Sequence, residues 1–257
     1  MMNRTKIDWA DMSWNPVTGC LHDCPYCYAR RIAERFGQTA NADGGSHGVD
    51  QSRVKSYYEA AHHTGPYPYG FDPTIYYDRL SDPAKAKKPQ TIFTCSMADL
   101  FGEWVPVEWI QAVFEACEKA PQHRYLFLTK NPGRYDELID TGILPERDNM
   151  WYGTTCTDMS MPLHWNLNAH TFMSCEPMLA PWPAAGRRSN QANMLPEWVI
   201  LGAETGNRKG KVTPERHWVE NAVAQCRANG QAVFMKESLR SLMGEDFVQE
   251  YPWGGGF

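Results

Sequence analysis

From Pro89 onward, hydrophobic and polar positions alternate in a regular rhythm, in which short β-rich runs are separated by stretches with helical period. The runs are Thr91 to Ser96, Tyr125 to Lys130, Trp151 to Cys156, Thr171 to Glu176, Trp198 to Glu204 and Ala232 to Lys236. Each begins apolar and finishes polar. That asymmetry is expected of parallel strands whose bodies pack a core while their C-terminal ends form an active-site mouth. A first strand near Trp14 to Val17 brings the total to six or seven parallel strands. The pattern predicts an α/β fold, as a complete or partial TIM-like (β/α) barrel, with a doubly wound open sheet as the rival.

Two helices are marked by their own signals. Pro106 stands at a helix start, and Ile110, Val113, Phe114 and Cys117 follow at i, i+3, i+4, i+7. Thr213 is placed to cap a second helix with Pro214 at its first position, where Val219, Ala222, Val223 and Cys226 repeat the stripe and Gly230 stops it. Cys117 and Cys226 therefore read as core residues. On the alternation of the strand before it, Cys175 points away from the face shared by Phe172, Ser174 and Glu176.

Ahead of these elements, Pro25 to Phe36 predicts a helix with Tyr28, Ile32 and Phe36 on one face and Gly37 at its end. Between residues 37 and 88 periodicity fades and Gly, His, Tyr and Pro accumulate, which predicts an insertion or lid within a single domain spanning 1–257. Aromatic connections such as Gly65-Pro66-Tyr67-Pro68-Tyr69-Gly70-Phe71 either line a pocket or cap a core.

Composition narrows the classes. The chain has 257 residues and 42% hydrophobic content, enough for one large core. No apolar run approaches the roughly 18 residues of a membrane span, and the opening Met1-Met2-Asn3-Arg4-Thr5-Lys6 has no apolar leader core, so a soluble, cytoplasmic protein is expected. A formal charge of −5, from 25 basic and 30 acidic residues, argues against a generic charge-driven grip on nucleic acid. It leaves room for local patches at Arg30, Arg31 and Arg35 and at Arg208, Lys209 and Lys211. No GxxxxGK[ST] or HExxH pattern occurs, so phosphate-loop and zinc-protease readings have no support.

The candidate chemistry lies in Gly19-Cys20-Leu21-His22-Asp23-Cys24-Pro25-Tyr26-Cys27-Tyr28, where cysteines are spaced C-x3-C-x2-C. Three thiolates can hold a [4Fe-4S] cluster by three corners and leave the fourth iron open to an exogenous ligand. The alternatives are a zinc site completed by His22, or a disulfide with a spare thiol. Structural zinc usually takes four protein ligands, often as two pairs, and no second C-x2-C pair exists. A disulfide fits a cytoplasmic chain poorly.

The cysteine run and the strand-helix rhythm after it resemble the radical S-adenosylmethionine (radical SAM) superfamily. Along nearly its whole length the chain resembles the phage Gp37/Gp68 family, also called DUF5131 or three-Cys-motif proteins. The matching stretches are Thr5 to Trp9, Trp14 to Cys20, Cys27 to Ala29, Ser96 to Phe101, Ala120 to His123, Leu128 to Pro132, Ser174 to Pro177 and Gly202 to Gly206. The resemblance implies a barrel of the radical SAM type, a [4Fe-4S] cluster held by Cys20, Cys24 and Cys27, and SAM as cofactor. The cluster cleaves SAM to a 5′-deoxyadenosyl radical that abstracts hydrogen from a substrate.

By the same resemblance, Tyr26 lies against the adenine, or packs under the loop. Ser96 and Asp99 stand where the SAM amine binds, with helix capping as the alternative for Asp99. Lys130 pairs with a carboxylate of SAM or substrate. Thr155, Ser174 and Glu176 suit the ribose, and Gly202 and Glu204 belong to a motif that lets backbone approach the adenine. A surface salt bridge is the alternative for Lys130 and Glu204. Lys236, ending the last strand, is the candidate catalytic residue facing substrate. The implied partners are an electron donor such as flavodoxin or ferredoxin and a substrate that is a nucleotide, nucleoside or nucleic acid. A peptide or small metabolite is the alternative substrate, and a non-catalytic iron-sulfur or zinc protein that binds a partner is the alternative function.

Overall fold

A computed structural model of the chain describes residues 2–37, 55–57, 66–163, 168–183 and 196–254. Much of the expected insertion, residues 38–54 and 58–65, lies outside the described residues. The fold is mixed α/β around a mostly parallel eight-stranded sheet, and a closed barrel is not detected among the described residues. The chain divides into two compact units, one comprising residues 1–6 and 10–145, the other residues 7–9 and 146–257.

The first unit contains β1 (Met2–Arg4), β2 (Met12–Trp14), β3 (Val17–Thr18), α1 (Tyr28–Phe36), β4 (Lys55–Tyr57), β5 (Thr74–Tyr76), α2 (Asp82–Lys85), β6 (Thr91–Thr94), α3 (Val107–Glu118), β7 (Arg124–Thr129) and α4 (Gly133–Asp140). Its part of the large sheet runs β1-β2-β6-β7, with β1 antiparallel and the others parallel. The parallel pairing of β6 with β7 follows from α3, whose stripe of Trp109, Ile110, Val113, Phe114 and Cys117 is buried as its period requires. Burying a large apolar side chain contributes about 1.5–3 kcal/mol, so this one face fixes the crossover.

Within the predicted insertion, β5 pairs with β3 and β4 in a separate three-stranded sheet. Arg79 ties this region to β2 and the residue after it: it lies 3.5 Å over the Tyr76 ring, donates to the Asn15 carbonyl and accepts at its own carbonyl from the Trp14 indole.

The second unit contains β8 (Met150–Thr155), β9 (His170–Cys175), β10 (Trp198–Leu201), α5 (Arg216–Ala228), β11 (Ala232–Met235) and α6 (Arg240–Met243). The four strands pair in that order, all parallel. Met173 and Cys175 of β9, Val199 and Leu201 of β10, and Val219, Ala222, Val223 and Cys226 of α5 form one buried cluster. Cys175 thus faces the helix, as the period-2 reading requires. Ser174 and Phe172 take the opposite face of β9, where Phe172 packs on Trp9 and Trp198.

One expectation is corrected. The second helix begins at Arg216 with Glu215 as its N-cap residue, not at Thr213 and Pro214. Glu204 holds the preceding segment through Val212, as described below, so the helix starts only after that segment is released. On α1, Tyr28, Ile32 and Phe36 do share a face, but they are exposed, and the small Ala29 and Ala33 are buried instead. Alanine lets the helix backbone approach Phe71 and Met97 closely, which an aromatic face would prevent.

Candidate functional site

In the first unit the cysteine loop is anchored at both ends. Gly19 donates its amide to the Met97 carbonyl at 2.9 Å, and Cys20 donates to Phe71 at 3.2 Å. Gly19 has φ +85°, and a Cβ there would lie 2.2 Å from the Asp72 carbonyl oxygen, so no other residue fits. At the far end Cys27 is the N-cap residue of α1, its Sγ accepting from the Arg30 amide at 3.3 Å. Asp23 between them takes the left-handed conformation at φ +54° and pairs with Arg30 at 3.2 Å. Arg30 also lies 4.9 Å over the Phe71 ring. It is part of the loop, and not of a solvated patch.

All three cysteines are free thiols, half-buried on this one loop. Burial, followed by the nearby Asp99 charge, pushes the Cys20 thiol up to about 12, so a metal must displace its proton on binding. Among the described residues no three His, Cys, Asp or Glu side chains converge as ligands of one ion would. Thiolates at separate corners of a cluster need not converge.

His22 is directed elsewhere. Its Nε2 meets Asp99 Oδ2 at 2.8 Å, and its ring stands edge-on to Trp104 at 4.8 Å. The loop therefore offers three thiols with its one histidine already engaged, which fits a three-cornered cluster better than a zinc site completed by His22.

Asp99 is the hub of this arrangement. It is 5% exposed, and its carboxylate accepts from His22, from the Thr129 hydroxyl at 2.7 Å, from the Lys130 amide at 2.8 Å and from the Phe101 amide at 3.0 Å. Burial alone would raise its pKa, but the His22 hydrogen bond and charge, with the Lys130 and Thr129 donors, outweigh it and hold the carboxyl below its ordinary value. Its oxygens are occupied by protein donors. Asp99 is not the cap of a helix, since the turn it closes at Phe101 precedes α3 by several residues.

Ser96, also expected at the amine, donates its hydroxyl to Asn15 Oδ1 at 3.2 Å, and the same oxygen accepts from the Met97 amide at 2.9 Å. The Ser96 carbonyl accepts from the Tyr28 hydroxyl at 2.6 Å. Lys130 places Nζ 5.9 Å from the centre of the Tyr26 ring and has no carboxylate partner among the described residues. The structure thus brings together Cys20, Cys24, Cys27, Tyr26, Ser96, Asp99 and Lys130. Sequence reasoning missed Asn15, Thr129 and the engagement of His22. A histidine between two cysteines was the only available signal for the last.

In the second unit three strand ends meet. Glu176, Gly202 and Lys236 directly follow β9, β10 and β11. Lys236 Nζ forms an ion pair with Glu176 Oε1. A Cβ on Gly202 would lie 3.1 Å from both the Glu176 and the Lys236 stems, so glycine keeps this space open. Thr155 and Ser174 are register partners on β8 and β9, each 2% exposed.

Glu204 stands apart. It receives both Arg208 nitrogens at 2.6 and 2.7 Å and the Val212 amide at 3.4 Å, which closes the 204–212 loop on itself. The Arg208 hydrogen bonds hold Glu204 below the usual carboxylate range. Its alternative reading as an ion-pair partner is the one the structure shows, and only Lys209 and Lys211 remain of the basic cluster. Cys95 and Cys156 are buried, and burial pushes the Cys95 thiol up to about 12.

A family model described as "Protein of unknown function (DUF5131)" matches residues 4–240. No curated protein matches the chain. Among solved structures, spore photoproduct lyase complexed with dinucleoside spore photoproduct is similar with a TM-score of 0.53 at 10% identity, over 92% of this chain and 79% of that one. A cysteine-to-alanine variant of that lyase with the same ligand has a TM-score of 0.53 at 11% identity, with the same coverage. At that identity the likeness is one of fold. Among the described residues no helix is long and apolar enough to cross a membrane.

Proposed function

Because the chain belongs to the DUF5131 family, whose description assigns no activity, we propose a function from its own residues: a radical SAM enzyme acting on a nucleoside, nucleotide or nucleic acid. The observation that carries this reading is the loop of three free thiols at Cys20, Cys24 and Cys27, with His22 engaged by Asp99. The fold adds support, since spore photoproduct lyase is a radical SAM enzyme. The substrate class follows the dinucleoside with which that lyase is complexed.

A [4Fe-4S] cluster held at these thiolates would supply one-electron reducing chemistry toward SAM. Cys20, Cys24 and Cys27 hold three corners. Tyr26 presents a ring, and Lys130 a cation, for the adenine and the carboxylate of SAM. Asp99 and Ser96 hold the loop and the β7 end in register. Within the second unit, Thr155 and Ser174 offer neighbouring hydroxyls suited to a ribose. Gly202 leaves space beside the Glu176–Lys236 pair for close approach of a ligand, with Lys236 the candidate to handle a substrate proton. Glu204 holds its own loop.

The test is anaerobic reconstitution with iron and sulfide, then SAM and dithionite, with 5′-deoxyadenosine as the product measured. The expected protein carries about four irons and releases the nucleoside, whereas Cys24→Ala does neither. Cleavage by Cys24→Ala at the wild-type rate would show the ligand assignment to be wrong.

A further inference from the structure

Helix α1 carries an apolar face that is exposed among the described residues. Tyr28, Ile32 and Phe36 are 46%, 37% and 55% exposed, while Ala29 and Ala33 dock the helix. At about 100° per residue, Arg31 and Arg35 fall immediately beside that stripe, and Glu34 lies further round. Both arginines are exposed. The Arg35 guanidinium sits 5.3 Å over the Phe36 ring, and neither arginine has an ion-pair partner among the described residues.

An apolar stripe with a cationic rim is the anatomy of a protein interface. A nucleic-acid track would need many more cations along its length. The position of the helix indicates what docks. Cys27, a proposed cluster ligand, is the N-cap residue of α1. At a rise of about 1.5 Å per residue, the face reaches only about 13 Å from it.

We propose that this face docks an acidic one-electron carrier protein that reduces the cluster, an inference that rests on the radical SAM reading. In that step the reduced centre of the carrier is oxidised by one electron, and the cluster at Cys20, Cys24 and Cys27 is reduced by one. No bond forms or breaks. The arginine rim selects the acidic partner and speeds encounter, and the stripe holds it in a small, transient contact.

The test uses the reconstituted holoenzyme as wild type, as Arg31→Glu/Arg35→Glu and as Ile32→Ser/Phe36→Ser, with a purified acidic flavodoxin as probe. Flavodoxin affinity is titrated across a salt series, and 5′-deoxyadenosine formation is measured with reduced flavodoxin and, separately, with dithionite. The charge-reversed variant is expected to bind flavodoxin about tenfold more weakly at low salt and to lose most of the salt dependence. The serine variant should bind more weakly with the salt dependence kept. Turnover with dithionite should stay at the wild-type level in both.

Wild-type flavodoxin affinity in both variants overturns the proposal. So does sedimentation showing that this face joins two copies of the chain, or a titration showing that it takes an oligonucleotide in place of flavodoxin. A wild-type holoenzyme that makes no 5′-deoxyadenosine with dithionite removes the radical SAM reading itself, and the dithionite arm tells that failure apart from a failure of docking.

Discussion

Replacing Asp99 with alanine perturbs the residue on which the cysteine loop depends. The substitution strands four donors: His22, Thr129 and the amides of Phe101 and Lys130, all at 2.7–3.0 Å from the carboxylate. A hydrogen bond to a charged group contributes about 1.5–3 kcal/mol, but the four share one acceptor and do not add. Removing one member of a buried charged network costs about 3–5 kcal/mol, which sets the expected loss for Asp99→Ala. Asn retains one oxygen for Thr129 and Phe101 but turns a donor toward the Lys130 amide, so Asp99→Asn should lose about 1–3 kcal/mol.

Urea denaturation read by tryptophan fluorescence gives both values, with an unchanged urea dependence confirming that unfolding exposes the same surface. The sign of the pH dependence follows from the folded-state shift. Asp99 is held below the ordinary value of 3.8, so its contribution is fully present above about pH 4 and disappears as pH falls through the folded pKa. The gap between wild type and Asp99→Asn should therefore narrow only in acid. A loss under about 1 kcal/mol for Asp99→Ala would refute the reasoning, because buried groups left without a partner cost more than that.

The remaining predictions concern single contacts. Gly19→Ala puts a Cβ against the Asp72 carbonyl at φ +85°; a stability loss of about 2 kcal/mol or more is expected in thermal melts, together with a fall in iron uptake. A double-mutant cycle on Glu176→Gln and Lys236→Met should return a coupling of about 0.5–3 kcal/mol, since the pair is half-buried at 15% and 25% side-chain exposure. A coupling of zero would mean that the ion pair does not persist in solution. Arg208→Ala frees the fork that closes the 204–212 loop, and faster amide exchange across those residues is the expected outcome.

What the sequence showed and what it concealed have separate physical causes. Strands β6 to β11 and helices α3 and α5 were legible because their apolar positions repeat with the period of the element, and packing rewards that period directly. That the shared face of α1 lies outward was not legible, because hydrophobicity leads to burial only where the neighbouring surface has room, and here contact through Ala29 and Ala33 took the inner position. The three cysteines were legible as a set. That His22 turns to Asp99 was not, because 77 residues separate the partners and only the folded sheet brings them together. The local fork of Glu204 with Arg208, at i and i+4, was available in principle. The ion pair was among the alternatives, but its partner was not named, because both residues sit outside a helix, where that spacing carries no expectation of contact.

The central claim is that three thiolates hold a cluster whose remaining corner receives SAM. Electron paramagnetic resonance of the dithionite-reduced holoenzyme, with and without SAM carrying a carbon-13 or oxygen-17 label in its carboxylate, tests it most directly. A reduced-cluster signal that shifts on SAM addition and gains hyperfine coupling from the label is the predicted result. A full cluster whose signal is indifferent to SAM, with no coupling from the label, would contradict the account.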